Sequence, residues 1–199
     1  MTALTDRAVL ADAFGPDSGA GLWIKRAVLV VLGVAALTLA AKIRVPMWPV
    51  PMTMQTFAVL TVGAAYGARL GLVTLLVYLA LGMAGVAVFA GDTAGLSYMA
   101  GPTAGYLVGF AVAATLVGWL SSNGWSGRVV PMVGALLLGL AVIYAFGLPW
   151  MAYLFAAEKG MDWVIQWGLT NFLAGEVLKV ALAALLIPAA WRFAKGAQE

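Results

Sequence analysis

The stretch NFLAGEVLKVALAALLIPAAW, residues 171–191, decides how this chain can fold. It is strongly apolar, yet it carries Glu176 and Lys179 near its middle. A spanning helix needs about 20 residues and only eleven separate Lys179 from Trp191, so we expect Lys179 to lie well inside a bilayer. A charge at a helix centre costs roughly 2.5–3.5 kcal/mol, and the i, i+3 spacing places both charges on one helix face. Two interpretations follow: a self-neutralising structural pair, or a small-molecule site in the membrane interior.

The composition outside this stretch is also that of a membrane protein. Of the 199 residues, 64% are hydrophobic and 10% are charged, whereas soluble domains have about 25% charged residues. The chain contains no Cys and no His, which excludes disulfides, thiol catalysis and His acid–base chemistry and argues against zinc. We therefore expect no catalytic residues, no metal and no cofactor. We attribute the net charge of +3 to helix ends rather than to a nucleic-acid surface.

Six apolar runs predict the spans of a helical bundle. They cover about residues 22–41, 53–66, 69–84, 103–120, 129–146 and 166–191. The second and third are each shorter than 18 residues, so they extend into their loops or form a short hairpin in the bundle core. We expect residues 1–21 to form a mobile cytoplasmic tail and residues 22–199 a single membrane domain. The sequence therefore predicts an all-α integral membrane protein with six transmembrane helices.

Basic residues in the loops predict the orientation of the bundle, because cytoplasmic loops carry an excess of Lys and Arg. One side has seven such residues and the other has three. The seven are Arg7, Lys25, Arg26, Arg69, Arg128, Arg192 and Lys195, and the three are Lys42, Arg44 and Lys159. All eight Trp residues lie at or beyond the ends of the runs, as interfacial aromatics do. We expect both termini to lie in the cytoplasm.

Two loops on the opposite side have unusual compositions. Residues 44–51, RVPMWPVP, contain three prolines and should form a stiff extended segment. Residues 84–102 are rich in Gly and carry Phe89, Asp92 and Tyr98. Long loops of this kind are often lids or binding loops.

Polar side chains are few in the outer half of the predicted bundle, and they fall in three groups. The groups are Thr53, Gln55 and Thr56 at the start of the second span, Asp92, Ser97 and Tyr98 in the Gly-rich loop, and Asn171, Glu176 and Lys179 in the sixth span. Taken one at a time, each of these residues more often serves as a helix cap, contacts the backbone or lies in a solvated turn. Together they resemble a mostly apolar pocket with a few placed polar groups. In the sixth span Asn171, Gly175 and Lys179 follow one helix face.

Such a pocket suits an amphipathic small molecule that is near-neutral or singly anionic. A phosphate ligand favours an Arg cluster or a Gly-Lys loop, a metal favours His or several acids, and a pore favours charge rings or carbonyl filters. The sequence has none of these patterns.

Several segments resemble the BioY family, the biotin-binding S-components of energy-coupling factor (ECF) transporters. PVPMTMQTF at 49–57 resembles the family's PVPxTxQT, and GPTAGYLVGF at 101–110 resembles its GPTGGYLxGF. GAAYG at 63–67 and GMAGVAVFAG at 82–91 match in order, and Glu176 and Lys179 fall where the family has an acid and a lysine three apart. The resemblance covers about residues 46–185. Three positions depart from the pattern: Ala104 for Gly, Ala87 for Pro and Glu176 for Asp.

The resemblance implies an S-component fold in the bacterial cytoplasmic membrane, a non-covalent biotin site near the outer surface, and no enzymatic reaction. It implies docking onto a transmembrane coupling subunit (T-component) with two ATPase subunits. The first helix of that group presents small residues at i, i+4 to the coupling subunit, and Ala36 and Ala40 match; we expect both to face lipid or a partner. The expected ligand-binding residues are Trp48, Gln55, Phe89, Asp92, Tyr98, Asn171, Glu176 and Lys179.

Other functions remain open at the level of sequence. The first alternative is an S-component for a different vitamin. An intramembrane enzyme that uses Glu176 or Asp92 is a weaker one, since one carboxylate without His or Cys does not make a base and nucleophile set. A purely structural membrane scaffold is the third.

Overall fold

A computed structural model describes residues 9–91 and 93–196 of the chain as a bundle of helices with one small β-hairpin. The helices are α1 (Gly19–Lys42), α2 (Gln55–Met83), α3 (Leu96–Met99), α4 (Ala104–Ser122), α5 (Val129–Lys159), α6 (Met161–Gly168) and α7 (Leu173–Gly196). The strands are β1 (Arg44–Val45) and β2 (Met52–Thr53). Among the described residues, five helical stretches are long and apolar enough to cross a membrane: α1, α2, α4, α5 and the segment Met161–Ala194.

Helix α2 contains a sharp break at Gly67, where φ is 77° and ψ is 173°. Only Gly adopts this region without steric cost. The two halves fold back on each other, because a Cβ at Gly71 would lie 3.4 Å from the Cα of Gly63. Eight residues of straight helix would separate these positions by about 12 Å. The predicted second and third spans therefore correspond to the two halves of α2, joined through Gly67.

The proline-rich segment is not extended throughout, although its composition predicts this: within it only Arg44–Val45 form a strand, and the chain bends at residues 48–50 and turns back. Strands β1 and β2 pair antiparallel, with Arg44 opposite Thr53 and Val45 opposite Met52. The Thr53 hydroxyl accepts a hydrogen bond from the backbone N–H of Gln55 at 3.2 Å, so it helps to start α2 directly after the hairpin. The loop between the strands is thereby held at the end of the bundle where α2 begins.

Two predicted helix boundaries are wrong. Helix α5 continues past the expected end at residue 146, through Pro149, to Lys159. A Pro is tolerated within a spanning helix, and the next residue, Trp150, holds this part of α5 against the start of α4 by donating its indole N–H to the carbonyl of Gly101 at 2.9 Å. The expected sixth span is divided, since α6 ends at Gly168 and a 3₁₀ turn, Thr170–Phe172, precedes α7.

The described part of the predicted N-terminal tail packs on the bundle. Residues Leu10–Asp12 form a 3₁₀ turn, and Val9 and Ala13 beside it are buried. The Val9 side chain lies against Gly67, where a Cβ would be 3.3 Å from it. The interpretation of residues 1–21 as a mobile tail therefore differs from the structure over residues 9–13. Residues 1–8 lie outside the described part of the chain.

Candidate functional site

A cavity opens between α2, α4, α5 and α7 beneath the proline-rich loop. The space between its walls, including the part open to solvent, is about 510 Å³. Its walls are largely apolar with polar groups from several elements. They consist of Val50, Pro51, Thr53, Gln55, Thr56, Ala90, Tyr98, Thr103, Tyr106, Leu107, Phe110, Ile143, Tyr144, Phe172, Glu176 and Lys179.

The charged pair of α7 lies in the cavity wall and is tied to α2. Lys179 Nζ donates to Glu176 Oε1 at 2.7 Å and to Thr56 Oγ1 at 3.0 Å, and Thr56 Oγ1 donates to Glu176 Oε1 at 3.1 Å. Glu176 and Lys179 are only 2% and 7% exposed. Both hydrogen bonds to the carboxylate use Oε1, and the buried Oε2 has no hydrogen-bond partner among the described residues. The carboxylate therefore keeps one acceptor oxygen that no described protein group uses.

A second hydrogen-bonded chain holds Gln55. Its Nε2 donates to the hydroxyl of Tyr78 at 2.8 Å, and that hydroxyl donates to the carbonyl of Val88 at 3.0 Å. The Thr53 hydroxyl lies 3.3 Å from Gln55 Oε1. Since Nε2 is engaged with the fully buried Tyr78, the amide orientation is set, and its oxygen is left on the side of Thr53 and the cavity.

The Gly-rich loop is anchored from two sides. Lys42, at the end of α1, donates to the carbonyls of Phe89 at 3.0 Å and Gly91 at 2.7 Å. The buried Phe89 ring packs edge-on against Tyr78 at 5.5 Å and stacks on Tyr98 at 4.7 Å between centroids. Tyr98 thus reaches the cavity on a loop that is held in place. Burial raises the pKa of Tyr98, so its phenol stays protonated at neutral pH.

Tyr106 on α4 and Tyr144 on α5 also line the cavity. Their rings pack edge-to-face, with centroids 5.9 Å apart. The Tyr106 hydroxyl donates to the carbonyl of Gly168 at 2.8 Å and lies 3.3 Å from the sulfur of Met151. It therefore satisfies a backbone group at the end of α6, where the helix breaks. The Tyr144 hydroxyl makes no hydrogen bond to the described part of the chain.

The structure brings four of the eight expected ligand-binding residues to the cavity: Gln55, Tyr98, Glu176 and Lys179. Phe89 lies behind Tyr98 rather than in the wall. Asn171 lies in the 3₁₀ turn before α7 and not on the helical face that the spacing predicts. Ligand contact by Phe89 and by Asn171 stays a prediction.

Trp48 and Asp92 complete the expected set, and neither is placed in the wall. Trp48 is 63% exposed and packs on Phe155 and Trp163, with centroids 5.9 and 5.6 Å away. It ties the proline-rich loop to α5 and α6. Asp92 lies outside the described residues. Their roles in binding stay predictions.

The two alanines of α1 do not share an outward face. Ala36 is exposed, whereas Ala40 is 7% exposed and belongs to the core. The backbone carbonyl of Ala40 also accepts from the N–H of Met54 at 3.2 Å, because the β-hairpin folds back on this end of α1. The expectation that Ala40 faces lipid or a partner is wrong, and that for Ala36 stays a prediction.

Sequence reasoning placed Thr56 among the polar groups of the expected pocket but not among the ligand-binding residues, and it did not select Tyr106 or Tyr144 at all. Thr56 and Tyr106 were within reach, because they belong to the PVPMTMQTF and GPTAGYLVGF segments. Tyr144 lies in an apolar run. The only hint of a binding role in the sequence is its hydroxyl group, since an apolar side chain would pack equally well. Its position depends on the rotation of α5, which the local sequence does not reveal.

Chemically, the cavity offers apolar walls, one carboxylate, one ammonium and several neutral hydrogen-bonding groups. The described residues contain no group of three or more His, Cys, Asp or Glu that could hold a metal. This set suits reversible binding of a compact molecule with an apolar body and hydrogen-bonding ends.

Comparison with known proteins gives a consistent result at the level of sequence. The family model described as the BioY family matches residues 10–196. The "Probable biotin transporter BioY" of Pyrococcus horikoshii is 34% identical over 162 residues, which cover 81% of this chain and 93% of that protein. The "Biotin transporter BioY" of Rhizobium etli is 36% identical over 160 residues, 77% of this chain and 84% of that protein.

One solved structure has the same fold. It is the crystal structure of the S-component for biotin from an ECF-type ABC transporter, with a TM-score of 0.73 and 19% sequence identity. The similarity covers 88% of this chain and 95% of that one. The helices, the β-hairpin and the broken final span therefore form an S-component-type fold.

Proposed function

The chain belongs to the BioY family, and we propose that it binds biotin with high affinity in the cavity described above and mediates biotin uptake. The single observation that carries the proposal is the buried Glu176–Lys179–Thr56 group in the wall of an otherwise apolar cavity. Relatives named biotin transporters, which share about a third of its residues, support the choice of ligand.

Biotin suits the composition of the cavity. Its ureido ring presents two N–H donors and one carbonyl acceptor, and the wall offers the free Glu176 oxygen and the oriented amide of Gln55. Its sulfur-containing ring and aliphatic chain suit aromatic and aliphatic walls such as Tyr98 and Phe110. Trp48, Phe89, Asp92 and Asn171 stay in the proposed site as members of the loops and turn around it.

Binding is non-covalent and the chain is not an enzyme in this proposal. Glu176 is already paired with Lys179, and the cavity wall holds no Ser, Cys or His nucleophile and base set within the described residues. Energy for transport belongs to partner ATPase subunits, reached through a T-component that contacts the exposed face of α1 around Ala36.

We place the protein in the bacterial cytoplasmic membrane as one domain with six spans and both termini in the cytoplasm. The five long helical stretches supply six crossings when the two halves of α2 count separately at Gly67. The seven-to-three distribution of basic residues supports the orientation. In this arrangement the cavity opens to the outer side and the packed residues 9–13 lie on the inner side.

A thermal melt of the purified protein in detergent tests the ligand. Biotin without ATP should stabilise it by about 2.7 kcal/mol when present at 100-fold its Kd, while thiamine and riboflavin should have no effect. A melt that responds to one of those vitamins and not to biotin would assign the chain to another substrate. A melt that responds to none of them would remove the small-molecule interpretation.

A further inference from the structure

Tyr144 is the buried polar side chain of the cavity for which packing alone gives no purpose. It lies on α5, lines the cavity and is 7% exposed. Its hydroxyl makes no hydrogen bond to the described residues, whereas its neighbour Tyr106 satisfies the carbonyl of Gly168. The hydroxyl is not among the fully buried unpaired atoms of the described residues, so it is accessible from the cavity that Tyr144 lines. Contact with a ligand, rather than a role in folding, therefore explains why this position carries a phenol.

The Glu176 carboxylate shares the cavity wall with Tyr144 and keeps one oxygen without a protein partner. Tyr144 lies on α5 and Glu176 on α7, and both side chains line the cavity. Glu176 Oε1 is taken by Lys179 and Thr56, and Oε2 is buried without a partner in the described part of the chain. The wall thus presents an unused donor on α5 and an unused acceptor on α7. This pair complements a unit that carries an N–H beside a C=O.

We propose that Tyr144 is a ligand-contacting residue that determines specificity, donating its phenol hydrogen to the ureido carbonyl of biotin while Glu176 Oε2 accepts from the adjacent ureido N–H. The inference rests on the proposed function and extends it by assigning the two ends of the ligand. The ureido ring occupies the inner end of the cavity between α5 and α7. The carboxylate-bearing chain then points towards the proline-rich loop, whose Val50 and Pro51 line the cavity.

The test compares three tyrosine-to-phenylalanine variants by biotin binding and by melting of the ligand-free protein. Tyr144→Phe leaves the ureido carbonyl unpaired and should weaken biotin binding roughly 5- to 150-fold, with the ligand-free melting temperature unchanged. Tyr106→Phe should instead lower that melting temperature, because the Gly168 carbonyl loses its donor. Tyr153→Phe, at a position 78% exposed and outside the cavity wall, should change neither quantity.

Analogues of the ligand separate a direct contact from a packing effect. Desthiobiotin keeps the ureido carbonyl and lacks the sulfur, so Tyr144→Phe should weaken its binding by the same factor as that of biotin. In 2-iminobiotin, protonated at neutral pH, a donor replaces the carbonyl oxygen, and the ratio of wild-type to variant affinity should fall towards one. A group-specific ratio of this kind is a double-mutant cycle between the phenol and the carbonyl.

Two results would overturn the assignment while leaving the proposed function in place. They are a Tyr144→Phe variant that binds biotin like the wild type, and an affinity loss that is equal for biotin and 2-iminobiotin. A wild-type protein that does not bind biotin in the same assay would overturn the proposed function and this assignment with it.

Discussion

Helices α2 and α4 behave differently at their two ends. At one end their backbones touch: a Cβ at Gly118 would lie 2.5 Å from the carbonyl carbon of Gly67, and one at Gly63 would lie 2.5 Å from the carbonyl oxygen of Ala114. At the other end the same helices separate around the cavity and carry polar groups such as Gln55 and Tyr106 into its wall. One end has small residues and close contact, and the other has long side chains and space.

The difference shows how a polar cavity can persist in an apolar bundle. In a membrane the association of helices depends on van der Waals packing of small residues and on hydrogen bonds. The glycine-rich end supplies that packing, so the cavity end can keep groups such as Glu176 Oε2 without protein partners. We expect substitutions at the packed end to change stability alone, and those at the cavity end to change affinity as well.

The largest effect is expected for the buried ion pair. Glu176→Gln or Lys179→Met alone leaves the other charge buried and unpaired, which should destabilise the ligand-free protein by about 3–5 kcal/mol and weaken biotin binding. The double substitution should restore the melting temperature but not the affinity. Unfolding curves and binding isotherms of both singles and the double variant check this.

The exposed pair Glu158–Lys159, also 2.7 Å apart, is the matched control. Glu158→Gln should change stability by less than about 1 kcal/mol, because exposed pairs contribute little. Full biotin affinity in the double variant would make the buried pair structural and would place the binding determinants elsewhere in the cavity.

At the packed end, Gly118→Ala should lower stability by about 3 kcal/mol or more, the upper range for overpacking, because backbone atoms of Gly67 and Ala68 must move. Biotin affinity of the folded fraction should be retained. Gly134→Ala on α5 is the control, since the nearest atom to its Cβ would be at 3.4 Å. A loss of affinity with normal stability would show that the two ends are not separable.

The hydrogen bonds from Gln55 to Tyr78 and from Tyr78 to Val88 connect the cavity to the Gly-rich loop. Their loss should therefore lower both the stability of the protein and its affinity for biotin. Tyr78→Phe leaves the Gln55 amide and the Val88 carbonyl without their partner and should cost about 1–3 kcal/mol of stability. Biotin should also bind more weakly, because Gln55 can then rotate. Unchanged affinity in an isotherm at a temperature where the variant is folded would show that the amide orientation does not matter for binding.

The smallest effect on stability and affinity is expected for substitutions on the exposed side of α1, a helix outside the α2–α4 pair. Ala36→Trp should change the stability and biotin affinity of the purified protein by less than about 0.5 kcal/mol and should impair biotin uptake by cells. Ala40→Trp, in the core, should lower stability instead. Normal uptake with Ala36→Trp would exclude this face as a partner contact.

The fold was largely predictable because its main signals are local. Apolar runs mark the spans, Gly67 marks the turn of the α2 hairpin, and three prolines mark a non-helical loop, which the structure folds into a β-hairpin. The boundaries that failed depend on tertiary contacts. Trp150 holds α5 beyond Pro149 against the start of α4 by bonding to the carbonyl of Gly101, 49 residues away, and such a contact leaves no trace in the local pattern.

The candidate site was predictable only in part. Glu176 and Lys179 stood out because charges within an apolar span are costly and face a partner or a ligand. Gln55 lay in the PVPMTMQTF segment, and Tyr98 in the Gly-rich loop of unusual composition. Ala40 was misjudged, since i, i+4 spacing gives a face of a helix but not the direction in which that face points. The fold of the β-hairpin against α1 is what buries it.

The sequence by itself determined that this chain is a helical membrane protein with a buried charge pair and two distinctive loops, because hydropathy and the conformational limits of Gly and Pro act residue by residue. The tertiary structure alone decided which side chains meet. It joined Thr56 to a pair 120 residues away, gave the Tyr106 phenol to the carbonyl of Gly168, and left the Tyr144 phenol free beside it. Those differences arise from the rotation and separation of packed helices, which are set by contacts between distant parts of the chain.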